Sequence, residues 1–78
     1  MVIIYIEQDN PKCNAIQMTM RMLGQRADYR NVDEYEEHKR FVEENYPGCE
    51  LPLVFNEYHE LISVGYEADK IAEEFGVL

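Results

Sequence analysis

The chain has 78 residues, with 16 acidic against 7 basic side chains and a formal net charge of −9. That length holds one small core in a single domain, 1–78, and an apolar share of 46% excludes wholesale disorder. Lys and Arg form no cluster able to displace counterions, so neither nucleic acid nor an anionic membrane surface is an expected partner.

No segment is long enough to span a bilayer, and the opening "MVIIYIEQD" lacks the basic leader of a signal peptide. A cytoplasmic monomer is the expectation. In that setting the two cysteines, Cys13 and Cys49, read as free thiols rather than a structural bridge. Neither belongs to a Cys-x2-Cys pair, and His38 and His59 do not complete a zinc set, so no metal is expected. The acidic run from Asp33 to Glu44 reads first as a solvated helix face and second as a surface for a basic partner. Many of the six tyrosines are expected to bury their rings and keep their hydroxyls at the surface.

"VIIYI", 2–6, is a continuous β-branched and aromatic run and reads as a central strand. "DNP" breaks it, and Pro11 suits the first turn of a helix. Residues 13–24 read as that helix, with Ile16, Met20 and Leu23 on its inner side, its methionines as adaptable core filling, and Gly24 as its cap. A weaker strand follows at 27–32. Asp33 and Glu36 have the spacing of a capping box for a second helix, whose stripe is Tyr35, His38, Phe41 and Val42. "NYPG", 45–48, stops it. "LPLVF", 51–55, is a strand that opens on a proline, "NEYHE" a hairpin turn, and "LISV", 61–64, the returning strand. Residues 67–76 form the last helix, with Ala68, Ile71, Ala72 and Phe75 inward. The order β-α-β-α-β-β-α implies a four-stranded mixed α/β sheet with three helices, the hairpin antiparallel and the helical crossovers parallel.

One thiol draws attention. Cys13 in "NPKCNAIQM" follows a strand and opens a helix, where unpaired amides favour a thiolate, and Lys12 beside it adds positive charge. Three residues on, where a partner cysteine would sit, stands Ile16. With the strand "VIIYI", the loop and cysteine, the proline-led "ELPLVF" and the closing "GYEADKI", the whole chain resembles a glutaredoxin of the thioredoxin superfamily. It looks most like the small phage glutaredoxins and the glutaredoxin-like hydrogen donors of ribonucleotide reductase.

The resemblance implies a thioredoxin-like fold with Pro52 in the cis-proline role. It also implies a substrate site formed by Lys12, Leu51, Pro52, Gly65 and Tyr66, with Glu67 an awkward neighbour for a glutathione carboxylate. The family's Cys-x-x-Cys motif reads "CNAI" if Cys13 matches the first cysteine. In a second register Cys13 matches the second, more buried cysteine, and Asn10 stands where the nucleophile would be. Arg21 and Leu23 favour the first. "CNAI" also differs from the "CGFS" motif of cluster-binding relatives, so no bound cofactor is implied.

Two functions follow. In the first, Cys13 is the catalytic thiol of a monothiol oxidoreductase acting on glutathione mixed disulfides or other disulfide proteins, with glutathione as cosubstrate. Cys49, three residues before Pro52, is a candidate resolving thiol. The alternative is a redox-inactive thioredoxin-fold module that binds a protein. An acidic Cys13 thiol favours the first, and a value at or above that of a free cysteine favours the second.

Overall fold

The computed structural model describes residues 1–76. Seven elements follow in order: β1 (Val2–Ile6), α1 (Pro11–Met22), β2 (Ala27–Asn31), α2 (Glu36–Asn45), β3 (Leu53–Phe55), β4 (Leu61–Val64) and α3 (Ala68–Phe75). The strands form one sheet in the order β2-β1-β3-β4. β1 runs parallel to β2, with Tyr5 opposite Arg30, and antiparallel to β3, with Tyr5 opposite Leu53 and Ile3 opposite Phe55. β3 and β4 are an antiparallel hairpin with a register shift at Val54/Phe55. The sheet therefore has the composition expected, with β1 inside and β4 at an edge.

Side-chain alternation divides the core between the two faces of the sheet. Val2, Ile4 and Val54 pack with Ile16 and Met20 of α1 and Ile71 and Phe75 of α3. Tyr5, Leu53 and Phe55 point the other way, to Val42 of α2, Leu51 and Cys13. Each fully buried aliphatic side chain, on either face, contributes about 1.5–3 kcal/mol. The face under α2 is covered by a single ten-residue helix with one buried side chain, Val42.

α1 starts two residues earlier than the hydrophobic pattern suggests. Asn10 is its N-cap, with Oδ1 accepting the Lys12 N–H at 2.9 Å, and Pro11 takes the first helical position. The helix ends in a Schellman motif. Gln25 N–H donates to the Met20 carbonyl and Gly24 N–H to that of Arg21, with Gly24 at φ 68°. Only Met20 of the helix methionines fills the core; Met18 and Met22 are 61% and 83% exposed.

The expected capping box does not form. α2 begins at Glu36 behind Tyr35, which makes no side-chain cap. Asn31 captures the preceding turn instead: its Oδ1 accepts the Asp33 N–H at 2.8 Å and its carbonyl accepts from Glu34 and Tyr35. Asp33 is thereby turned toward the loop after β1, where it accepts the Gln8 N–H at 2.8 Å. The stripe of α2 is also shallower than expected, with Tyr35 exposed and Phe41 37% exposed. In α3 only Ile71 and Phe75 face inward; Ala68 and Ala72 lie in solvent. All six acids between Asp33 and Glu44 are exposed. Of the six tyrosines, Tyr5 is buried, Tyr29, Tyr46 and Tyr66 are half-buried, and Tyr35 and Tyr58 are largely exposed. Among the described residues no helix is long and apolar enough to cross a membrane.

Candidate functional site

The loop leaving β1, the first turn of α1, the segment entering β3 and Gly65 after β4 meet at one end of the sheet. The Leu51–Pro52 peptide is cis, and both residues are buried. β3 starts two residues later than expected, because Pro52 has no N–H to give a ladder. Its carbonyl instead accepts the Gly65 N–H at 2.8 Å. Gly65 sits at φ 72°, and a Cβ there would lie 2.6 Å from Glu50 Oε1, so the Glu50 carboxylate rests directly on it. Glu50 also pairs with Lys12.

Cys13 lies at the third helical position, one turn below the cap, because α1 begins at Pro11. That places it among Tyr5, Val42, Leu51, Leu53 and Phe55, with 1% of its surface exposed. Burial pushes the thiol above its ordinary value; a hydrogen bond from the Glu7 backbone opposes this, and the Glu7 carboxylate adds to it. An acidic helix-terminal thiolate was the expectation. Depth reverses it, and Lys12, committed to Glu50 across the surface, supplies no counter-charge.

The residue that faces the segment before Pro52 is Asn10. Its Nδ2 donates to Glu7 Oε2 at 2.8 Å and to the Leu51 carbonyl at 3.3 Å, while its Oδ1 caps the helix. A half-buried carboxamide thus stands at the helix cap, and Cys13, three residues on, is buried. The Asn-Pro pair, an N-cap followed by a first-position proline, was the sequence signal for this cap.

A groove of about 510 Å³ runs beside this point, lined by Glu7, Asn10, Glu43, Tyr46, Glu50 and Leu51 among others. Cys49 lines it and is exposed; Cys13 does not line it, and both thiols are free. The structure thus brings Lys12, Leu51, Pro52 and Gly65 together around Glu50. Tyr66 is directed away, packed against the α1/α3 core with its hydroxyl bonded to Thr19. Glu67 accepts the Val64 N–H at 2.8 Å and pairs with Lys70 at 3.0 Å; the backbone bond first, then Lys70, lowers its pKa. Glu7, Glu50 and Tyr46 were not singled out from the sequence, since nothing local distinguishes them from other surface acids and aromatics.

No protein-family model and no curated protein matches the chain. Among solved structures it is similar to the crystal structure of the thioredoxin-like protein BC3987, at a TM-score of 0.81 and 15% identity over 94% of this chain and 97% of that one. It is similar also to a point mutant of the same protein, at 0.80 and 14% over 94% and 96%. Likeness at that identity concerns the backbone: the chain has a thioredoxin-like α/β fold, and the resemblance read from the sequence holds at that level.

Proposed function

We propose that the chain is a redox-silent thioredoxin-fold module that binds a protein, not a monothiol oxidoreductase. One observation carries this reading: Asn10 occupies the helix cap against the Leu51 carbonyl, and Cys13, three residues on, is buried. A carboxamide cannot attack a disulfide. Cys13 would need both access and deprotonation, and burial opposes each.

Charge favours a protein over glutathione. Glu7, Glu43 and Glu50 line the groove, and Glu50 covers Gly65. Glutathione, which carries two carboxylates, meets like charge there; a basic, extended segment of a partner meets opposite charge.

The test is to restore the missing nucleophile with Asn10→Cys. Wild type is expected to show no turnover of a glutathionylated peptide. The variant is expected to form an internal disulfide with Cys13 on mild oxidation and to exchange thiols at least about tenfold faster. Ile16→Cys is expected to gain nothing, because Ile16 is fully buried on the α1/α3 side of the sheet. Wild-type turnover that disappears in Cys13→Ser would overturn the proposal.

A further inference from the structure

The α2 face of the sheet carries a second cavity, of about 330 Å³, away from the cap of α1. Its floor is Tyr5 and Phe55, both nearly fully buried, with Ile3 beside them. Phe41 and Tyr46 form its walls, and Arg30 and His59 its mouth. It lies where α2, which drops only Val42 fully into the core, rests Phe41 over the aromatic part of the sheet face.

The rings around the cavity form one packed aromatic cluster. Tyr5 and Phe41 stack with centroids 4.9 Å apart and planes 12° apart. Phe55 stands edge-on to Tyr5 at 5.8 Å and to Tyr46 at 5.7 Å. Tyr5 and Phe55 are packed by these rings, so the accessible ring surface is that of Phe41, 37% exposed, and of half-buried Tyr46, which suits a flat aromatic group. Its volume is at the small end of ligand pockets, enough for one or two fused rings.

Charge sets the rest of the chemistry. The chain has 16 acids, yet none lines this cavity, while a guanidinium and an imidazole do. Arg30 is held in place at the mouth: Nε donates to Asp28 Oδ2 at 3.0 Å, Nη1 to the Tyr5 hydroxyl at 3.1 Å, and Cζ lies 5.7 Å from the Tyr5 ring centroid. Nη2 makes no hydrogen bond among the described residues, so a donor remains for an incoming acceptor. We propose that this cavity is a binding site for a small planar aromatic acid, its ring against Phe41, Tyr46 and Phe55 and its carboxylate on Arg30. The site does not depend on the redox state of Cys13 or on the groove beside Asn10; only Tyr46 lines both cavities.

1-Naphthoate is the probe and 1-naphthalenemethanol its uncharged counterpart. Titration of the full chain, followed by amide chemical shifts, is expected to move Ile3, Arg30, Phe55 and His59 with the acid and much less with the alcohol. Arg30→Met is expected to weaken naphthoate by roughly tenfold or more, the scale of a lost charge-assisted hydrogen bond. Phe41→Ala, at a partly exposed helix position, is expected to weaken it by roughly three- to tenfold. Asp28→Asn removes the competing carboxylate and keeps the guanidinium, so it is expected to tighten binding. That opposite sign separates recognition from damage to the fold. No binding at millimolar naphthoate, equal binding of the alcohol, shifts centred elsewhere, or indifference to both Arg30→Met and Asp28→Asn would each overturn the site.

Discussion

At the residue scale, Cys13 and Cys49 are the same side chain in opposite surroundings, and pH tells them apart. Burial raises the Cys13 thiol above the ordinary cysteine value of about 8.5, with the Glu7 carboxylate adding to it against the Glu7 backbone bond. The folded state therefore holds its proton over a range where the unfolded chain has lost it. The stability linked to Cys13 is fully present below about pH 8.5 and falls as pH rises toward the folded pKa. Denaturation curves between about pH 8 and 10 are expected to show a falling limb that flattens in Cys13→Ala. In the native protein a thiol reagent is expected to label Cys49 rapidly and Cys13 only on unfolding; equal labelling rates would mean that Cys13 is accessible.

At the element scale, the two ends of α1 show how local chemistry sets a helix. Asn10 and Pro11 define the start by a side-chain cap and a fixed φ. Gly24 defines the end, at φ 68° with open space around its α-carbon. Backbone strain is then the whole cost of Gly24→Ala, expected at about 1 kcal/mol, with Gly24→Asn cheaper. Urea titration of the two variants checks the order; a neutral Gly24→Ala would mean that the last turn refolds into another cap. α2 is the element on which local signals misled. Asp33 and Glu36 have capping-box spacing, but Asn31 and the loop after β1 compete for the same groups and win, and the start moves to Tyr35 and Glu36. With a shallow stripe and no side-chain cap, α2 is held less firmly than α1, and the aromatic cavity beneath it follows from that.

At the scale of the whole molecule, a net charge of −9 on 78 residues works against compactness. The ion pairs Lys12–Glu50 and Lys70–Glu67 lie at the solvent surface, where screening leaves them little weight. Salt screens the repulsion more than it weakens these pairs, since repulsion is spread over many unpaired acids. Raising ionic strength from about 0.01 to 0.15 M is expected to increase Tm; a decrease would mean that specific ion pairs dominate over self-repulsion. The same acidity shapes binding at two sites. Carboxylates line the groove beside Asn10, whereas the cavity under α2 has none in its lining.

Strand and helix order, the interior place of β1, the hairpin at β3–β4 and the proline entry to the sheet were all legible in the sequence. Each depends on short-range signals: β-branched runs, turn residues, and connection lengths that force parallel or antiparallel pairing. The state of Cys13 was not legible. "NPKC" permits two registers, which differ in whether Cys13 takes the place of the family's first cysteine or of its second. In the fold the helix starts at Pro11, which sets the Cys13 side chain in the core against Leu51 and Tyr5. The contacts of Asn10 with Glu7 and Leu51 likewise join residues as far as 41 positions apart, beyond any local pattern. Packing also decided which residues share the aromatic cavity, since Tyr5, Arg30, Phe41 and Phe55 come from four different elements and meet only once the sheet has closed beneath α2.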